Sequence, residues 1–375
     1  MIPAQSELFS MTAKRVLIIG GSGRIGRSVA ADLLCHTDVT MTLTGRRYQP
    51  TFELSSRQRY QSLSLEDHPA LQQAIAAHDL VIHCAGPFRI RELTVLIQCI
   101  QQGTPYVDVA DSPDYVSEAL ALGESAKAAG VTCIVSTGVF PGISNSMVRQ
   151  GIERLDSAED VHLSYLVAGS GGAGVTVMRT TFIELQTPFQ AKVNGECVWI
   201  QPYCDREVLP FPDPYNQGAG VYWFNTVEAF TLTRSFPQLQ SVITKFGSLP
   251  DGYNRLTGLM THLPPSWLKN STVVEFLSQV SYAMTQVSDR FSGTGIAMRL
   301  AIQGHRHGVP ATYLATATHP DTAATAGYGT GSVAQLILDG RLVQPGVWPV
   351  EQALSTSLFE ETLAERQFSI SSAFE

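Results

Sequence analysis

The segment RVLIIGGSGRIGRSVAADLL carries Gly21, Gly23 and Gly26 in GxGxxG spacing, directly after an apolar strand pattern and at the opening of a helical one. That setting suits dinucleotide chemistry. Gly21 permits a tight turn, Gly23 lets backbone approach a pyrophosphate, and Gly26 allows the helix to pack closely against the strand. Ser22, Arg24 and Ile25 complete the same loop, where helix N-terminal amides face the anion. A glycine-rich turn kept only for packing is the competing account, and the strand, turn and helix order weighs against it.

Gly45 lies 19 residues beyond Gly26, in the run VTMTLTGRR that ends on Arg46 and Arg47. An acidic residue at the end of this second strand would accept hydrogen bonds from ribose hydroxyls but repel an added phosphate. Gly45 leaves room, and the two arginines offer charge-assisted bonds, with Arg24 within reach of the same group. The pattern points to NADP(H) over NAD(H), unless both arginines simply face solvent on a connecting loop. FAD sites share the glycines but usually pair them with an acidic ribose ligand, and S-adenosylmethionine has no pyrophosphate for the close backbone approach. Asp67, before a helical run, reads as an adenine neighbour or a plain helix cap.

Redox chemistry belongs at the carboxyl ends of the next strands. In DLVIHCAGPFRIRELTV, Cys84, Ala85, Gly86 and Pro87 form a turn suited to the nicotinamide half of a cofactor, with Phe88 as an apolar wall. Cys84 needs no chemical role, since hydride transfer uses no protein nucleophile. TPYVDVADSPDY places Tyr106, Asp108 and Asp111 near the following strand end. Asp108 is the candidate to orient an amine or act as general base, and Tyr106 to donate to its carboxylate. Ser144 and Asn145 in VFPGISNSMV suit substrate or cofactor amide, although Ser144 as a helix N-cap is the simpler account. Tyr203, Tyr215, Tyr222 and Trp223 read as cleft or core, and SGGAG at 170–174 as a closing loop or a turn. His305 and His307 form no complete metal-ligand set.

The elements that must position these residues alternate along the first part of the chain. Strand patterns at 16–20, 39–45, 79–86, 104–110 and 131–138 are separated by helical runs at 26–35, 69–78, 91–103 and 115–130. Short, nearly all-apolar strands joined by helices imply a parallel sheet covered on both faces, with right-handed crossovers. After residue 155 the rhythm changes to mixed aromatic and polar segments, and 295–304 and 311–319 read as paired strands with HRHGVP as their turn. The expected organisation is α/β: a Rossmann-type parallel-sheet domain at 13–140, an α+β substrate or dimerisation domain at 141–320, and a segment at 321–375 returning to the first domain.

Composition bounds the function. The chain has 375 residues, enough for two domains, and charged residues are 15% of it, against roughly 25% in average soluble proteins. A net charge of -8 without Lys/Arg blocks disfavours nucleic acid. The six cysteines form no CxxC pair, no apolar run is long enough to span a membrane, and the N-terminus lacks a signal-peptide pattern. A cytoplasmic protein with a small-molecule partner is expected.

Taken together, GGSGRIG, LTGRR, HCAGPF, YVDVADSP, GVFPGISN and the later GTGSVAQLILDGRLVQPGVWPVEQAL occur in an order that resembles saccharopine dehydrogenase-like proteins. The resemblance runs from about residue 15 to 370 and is strongest through 150 and after 320. It departs at VADSP, where many relatives carry a glycine-glutamate ending, and at PVE, where PPE often stands. The resemblance implies an NAD(P)-dependent oxidoreductase that moves a hydride between nicotinamide and an amino-acid-derived imine or secondary amine. It also implies a substrate or dimerisation domain, hence a homodimer, with Arg89, Arg91 or Arg179 available to substrate carboxylates. A noncatalytic NADP(H)-responsive interaction or sensor protein on the same scaffold is the alternative.

Overall fold

The computed structural model describes residues 13–46, 52–169, 185, 187–216, 218–261, 271–292 and 294–375. Its first sheet contains β1 (Arg15–Ile19), β2 (Thr40–Gly45), β3 (Gln58–Ser62), β4 (Leu80–His83), β5 (Tyr106–Asp108) and β6 (Thr132–Val135), joined by β15 (Gly346–Pro349). The order is β15-β6-β5-β4-β1-β2-β3, and every neighbouring pair is parallel. The central strands are apolar at almost every position because both faces are covered. On one face Leu17, Ile19, Val81 and Tyr106 pack with α2 (His68–Ala76), α3 (Thr94–Gln102) and α4 (Pro113–Ala121). On the other, Val16, Ile18, Ile82 and Ile134 meet α1 (Arg24–His36) and α6 (Ile143–Ile152).

The chain reverses direction across this sheet between β1 and its two neighbours, β4 and β2. Such a switch point leaves a crevice at the carboxyl ends of the strands, where ligands bind in open α/β sheets. The glycine loop and the turn after β4 both open there.

The second sheet is mixed, in the order β10-β11-β12-β7-β13-β14-β16. Its strands are β7 (Ser157–Ala168), β10 (Glu207–Val208), β11 (Gly220–Trp223), β12 (Ser241–Leu249), β13 (Ile296–Arg306), β14 (Val309–His319) and β16 (Ser371–Phe374); β8 (Phe189–Val193) and β9 (Glu196–Ile200) pair separately. Only β7 and β12 run parallel within it; its other neighbours are antiparallel. Val161, Leu163, Met298 and Leu300 continue the same apolar core as Val16 and Ile18, so α6 is packed between the two sheets.

Beyond residue 320 the chain contributes to both sheets. The helix Thr322–Leu338 lies on α1 so closely that a Cβ on Gly327 would meet the Ser28 carbonyl oxygen at 2.7 Å. Arg366 then closes the contact: its guanidinium donates to both Asp32 oxygens, at 2.9 and 2.7 Å, and both side chains are buried. β15 extends the first sheet, whereas β16 pairs with β14 in the second.

Three local expectations change. β3 was not anticipated because QRYQS is a polar edge strand without an apolar run. The 115–130 helical run is two helices, α4 and α5 (Gly123–Ala128), with Leu122 between them. HRHGVP is mostly strand: only His307 and Gly308 turn, both with positive φ, at 54° and 75°.

Candidate functional site

The loop from Gly20 to Gly26 is built by close backbone approach. A Cβ on Gly26 would lie 2.4 Å from the Gly20 carbonyl oxygen and 2.6 Å from the Gly21 Cα, and one on Gly21 would lie 2.9 Å from the Ile18 oxygen. These two glycines are therefore demanded by the fold itself. At Gly23 the only atom among the described residues within 4 Å of such a Cβ is the Gly20 oxygen, at 3.1 Å, and Gly23 is exposed. Gly23 is also the N-cap of α1, where no side chain caps the helix and no acid occupies the first turn. Unpaired amides and the positive helix end then favour an anion.

Gly20, which the spacing argument did not single out, has φ of 78°, and its Cβ position lies 2.8 Å from the Ala85 amide nitrogen. It brings the glycine loop against the turn after β4, a contact tightened by the Cys84 amide donating to the Ile19 oxygen at 2.7 Å. Ser22 ties the loop to the second strand, its amide donating to the Thr44 oxygen at 3.2 Å. Gly45 sits directly beneath: a Cβ there would overlap the Ser22 Oγ and approach the Tyr60 hydroxyl at 3.0 Å. Room at Gly45 is thus required by packing as well as by any ligand.

Arg46 is exposed at the end of β2, and Arg47 lies outside the described residues. Arg24 is half-exposed and stands 3.6 Å from Asp321, the residue that caps the helix Thr322–Leu338. Asp67 is the N-cap of α2, accepting from the Ala70 amide at 3.1 Å. In the turn after β4, Arg91 donates to the Ala85 and Gly86 carbonyl oxygens at 3.0 and 3.3 Å, so its guanidinium holds the turn. Arg89 is exposed, and Arg179 and the segment 170–174 lie outside the described residues. Burial pushes the half-buried Cys84 thiol well above its usual range.

Asp108 and Tyr106 lie in a sealed network. The Tyr106 hydroxyl donates to Asp108 Oδ2 at 3.0 Å and lies 3.1 Å from both the Tyr115 hydroxyl and His83 Nδ1. Asp108 Oδ1 accepts from the Ser136 and Ala110 amides at 2.7 and 3.0 Å. The carboxyl joins the ends of β5 and β6, and neither Asp108 nor Tyr106 has any exposed surface. Burial raises Asp108 to about 6 despite these donors, and lowers His83 to about 3 with a smaller push from Arg91. This geometry anchors backbone at the strand ends and keeps the carboxylate from direct contact with a substrate nitrogen. His83, whose Nε2 has no partner among the described residues, was missed because it reads as the polar end of an apolar strand.

A second buried network surrounds the start of α6. Gly142, rather than Ser144, is the N-cap, and its amide donates to Asn145 Oδ1 at 3.2 Å. Ser144 instead turns inward and donates to Glu228 Oε1 at 2.9 Å, while the Asn145 amide nitrogen donates to Glu351 Oε2 at 2.9 Å. Both glutamates are buried, which raises their pKa values. Tyr203, Tyr215, Tyr222 and Trp223 are core residues, and Tyr203 stacks on Tyr222 at 4.3 Å. Among the described residues no group of three His, Cys, Asp or Glu side chains could hold a metal ion, and no helix is long and apolar enough to cross a membrane.

Comparison with known proteins follows the same geometry. Residues 16–134 match the family model for the saccharopine dehydrogenase NADP binding domain. Saccharopine dehydrogenase [NADP(+), L-glutamate-forming] from Pyricularia oryzae is 32% identical over 152 residues, covering 40% of this chain and 32% of that protein. The chain thus spans about a third of that relative's length. Among solved structures, apo saccharopine dehydrogenase (L-Glu forming) from Saccharomyces cerevisiae superposes with a TM-score of 0.70 at 14% identity, covering 97% of this chain and 100% of that one. The C. glutamicum DAP dehydrogenase in complex with DAP gives 0.53 at 16% identity, covering 94% and 99%. These structural likenesses show a shared two-sheet fold.

Proposed function

Because this chain is related to the saccharopine dehydrogenase-like NAD(P)-binding oxidoreductases, we propose that it transfers a hydride between NADP(H) and an amino-acid-derived imine or secondary amine. The observation that carries this reading is the junction of the glycine loop with the turn after β4, where Gly20 meets Ala85 at an uncapped helix N-terminus. The residues fit the cofactor. Gly21, Ser22, Gly23 and the first amides of α1 would hold the pyrophosphate, and Arg46 with Arg47 the added phosphate. Ala85, Gly86 and Pro87 would line the nicotinamide side.

NADP(H) supplies the hydride in this scheme. The chain supplies position and exclusion of water. Asp108 is assigned to positioning: its two backbone donors fix the ends of β5 and β6, and its hydrogen bond orients the Tyr106 hydroxyl.

The test begins with NADPH and NADH titrations, followed by a turnover screen of amine and oxoacid pairs. Tight NADPH binding with turnover on at least one pair is expected. Tight binding without turnover on any pair would replace the enzyme with the noncatalytic, cofactor-responsive reading.

A further inference from the structure

A pocket of about 250 Å³ opens at the end of the first sheet opposite the glycine loop. Arg15, Thr40 and Gln58 line it, and they are the first residues of β1, β2 and β3, whereas the glycine loop follows the last residue of β1. These strands are parallel, so their starts and their carboxyl ends lie on opposite edges of the sheet. The pocket is therefore separate from the proposed redox site. Arg15, Arg57 and Arg59 all border it, and none of its lining residues among those described is acidic. In a chain of net charge -8 such a local excess of positive charge runs against the composition.

Arg59 is held by a relay of hydrogen bonds from two buried side chains, Thr42 and His78. His78 Nδ1 lies 2.6 Å from the Ala74 carbonyl oxygen, which can only accept, so the ring proton is on Nδ1. Burial lowers the His78 pKa, with smaller pushes from Arg59 and Arg15, and favours the neutral ring. Nε2 therefore accepts from the Thr42 hydroxyl at 2.7 Å, and the Thr42 oxygen accepts from Arg59 Nε at 2.8 Å. This leaves both terminal nitrogens of Arg59 without a partner among the described residues. The other two guanidiniums have only distant carboxylates. Asp79 stands 3.8 Å from Arg15 Nε and accepts instead from the Arg15 backbone amide at 2.7 Å, while the exposed Asp38 stands 3.9 Å from Arg57 Nη1. An arginine left to solvent needs no buried support, whereas one fixed through Nε presents its remaining donors preorganised.

We propose that this pocket binds a compact phosphate dianion, free or as a phosphomonoester, at a site distinct from that of the cofactor. Arg59 donates from its terminal nitrogens, and Arg15 and Arg57 add positive charge around the anion. A phosphate offers two charges and several acceptor oxygens to three guanidiniums, where a carboxylate offers one charge and two oxygens. Pockets for drug-sized molecules run from about 300 to 1,000 Å³, and this one is smaller, so any organic part of the ligand is small. The site stands independently of the hydride-transfer reading.

Calorimetry on the full chain saturated with NADP+, in chloride buffer at pH 8, tests the site with inorganic phosphate and phenyl phosphate as probes and benzoate as the singly charged match. Saturable binding of a phosphate probe, at least tenfold tighter than benzoate, is expected. Arg59 is exposed, so Arg59→Gln should fold and bind NADP+ as the wild type does, while phosphate affinity falls about tenfold or more, the worth of a lost hydrogen bond to a charged group. Equal affinity for the two phosphate probes supports the site and identifies the free anion as its ligand; tighter binding of phenyl phosphate supports it and identifies an ester. No saturable phosphate binding, benzoate binding within tenfold of the phosphate probes, or unchanged affinity in Arg59→Gln overturns the inference. If Arg59→Gln does not fold, Arg15→Gln carries the test, with a several-fold loss expected and an unchanged affinity overturning the assignment. Should the chain bind no NADP+, the proposed function falls, and dependence of phosphate binding on Arg59 still assigns the anion to this pocket.

Discussion

Replacing Gly26 with alanine should separate cofactor geometry from general stability. The new Cβ would stand 2.4 Å from the Gly20 oxygen and 2.6 Å from the Gly21 Cα, both backbone atoms that no rotamer change can move. Restoring ordinary contact requires α1 to shift by about 1 Å, and overpacking of this kind costs about 1–3 kcal/mol. The helix-propensity gain from glycine to alanine offsets about 1 kcal/mol of that. A net destabilisation of about 0–2 kcal/mol is therefore expected in urea unfolding. Affinity should suffer more, because the shifted amides are those proposed to hold the pyrophosphate: losing one hydrogen bond to a charged group is worth about 1.5–3 kcal/mol, or about 10- to 100-fold in Kd. NADPH fluorescence titration measures this directly. Gly252 is the control: nothing among the described residues lies within 4 Å of its Cβ position, and it opens the helix Gly252–Met260. Gly252→Ala should leave NADPH affinity unchanged and gain up to about 1 kcal/mol of stability. NADPH binding within twofold of wild type in a folded Gly26→Ala protein would refute the assignment of this loop to the pyrophosphate.

Three further outcomes are expected. The double replacement of Arg46 and Arg47 by alanine should weaken NADPH about 10- to 100-fold, the worth of a lost charge-assisted bond, while NADH titrates within twofold of wild type. Asp108 has its folded-state pKa raised to about 6 by burial, so the native state binds its proton more tightly than the unfolded chain does. Its contribution is present at low pH and is lost as pH rises from about 4 through 6, at most about 3 kcal/mol. The difference in unfolding free energy between wild type and Asp108→Asn should show that slope between pH 4.5 and 7, and a flat difference would contradict the burial argument. Arg366→Ala leaves Asp32 buried without its bidentate partner and should cost about 3–5 kcal/mol in urea unfolding, with the Asp32→Ala, Arg366→Ala double variant less damaging than the sum of the two.

Much of the first sheet was legible because its code is local. Strands such as LVIH are apolar at nearly every position, and the glycines after β1 occupy a turn whose geometry few other residues satisfy. The resemblance through GGSGRIG and LTGRR reached the NADP-binding domain for the same reason, since both motifs lie within the residues 16–134 that match it. Other features depended on contacts between residues distant in the chain. β3 exists because β2 offers it an edge, not because QRYQS has a strand-like pattern. Gly20 became significant only against Ala85, and Gly45 only beneath Ser22. Asp108 looked available at a strand end, but closure of β5 against β6 surrounded it with the Ser136 and Ala110 amides and removed it from solvent. The aromatic run around 203–223 turned into core, while Phe140, Phe224 and Phe246 came together from three separate segments. Nothing local marks Glu228 in the helix Val227–Ser235 as buried, and burial is a property of the assembled sheets rather than of any stretch of sequence.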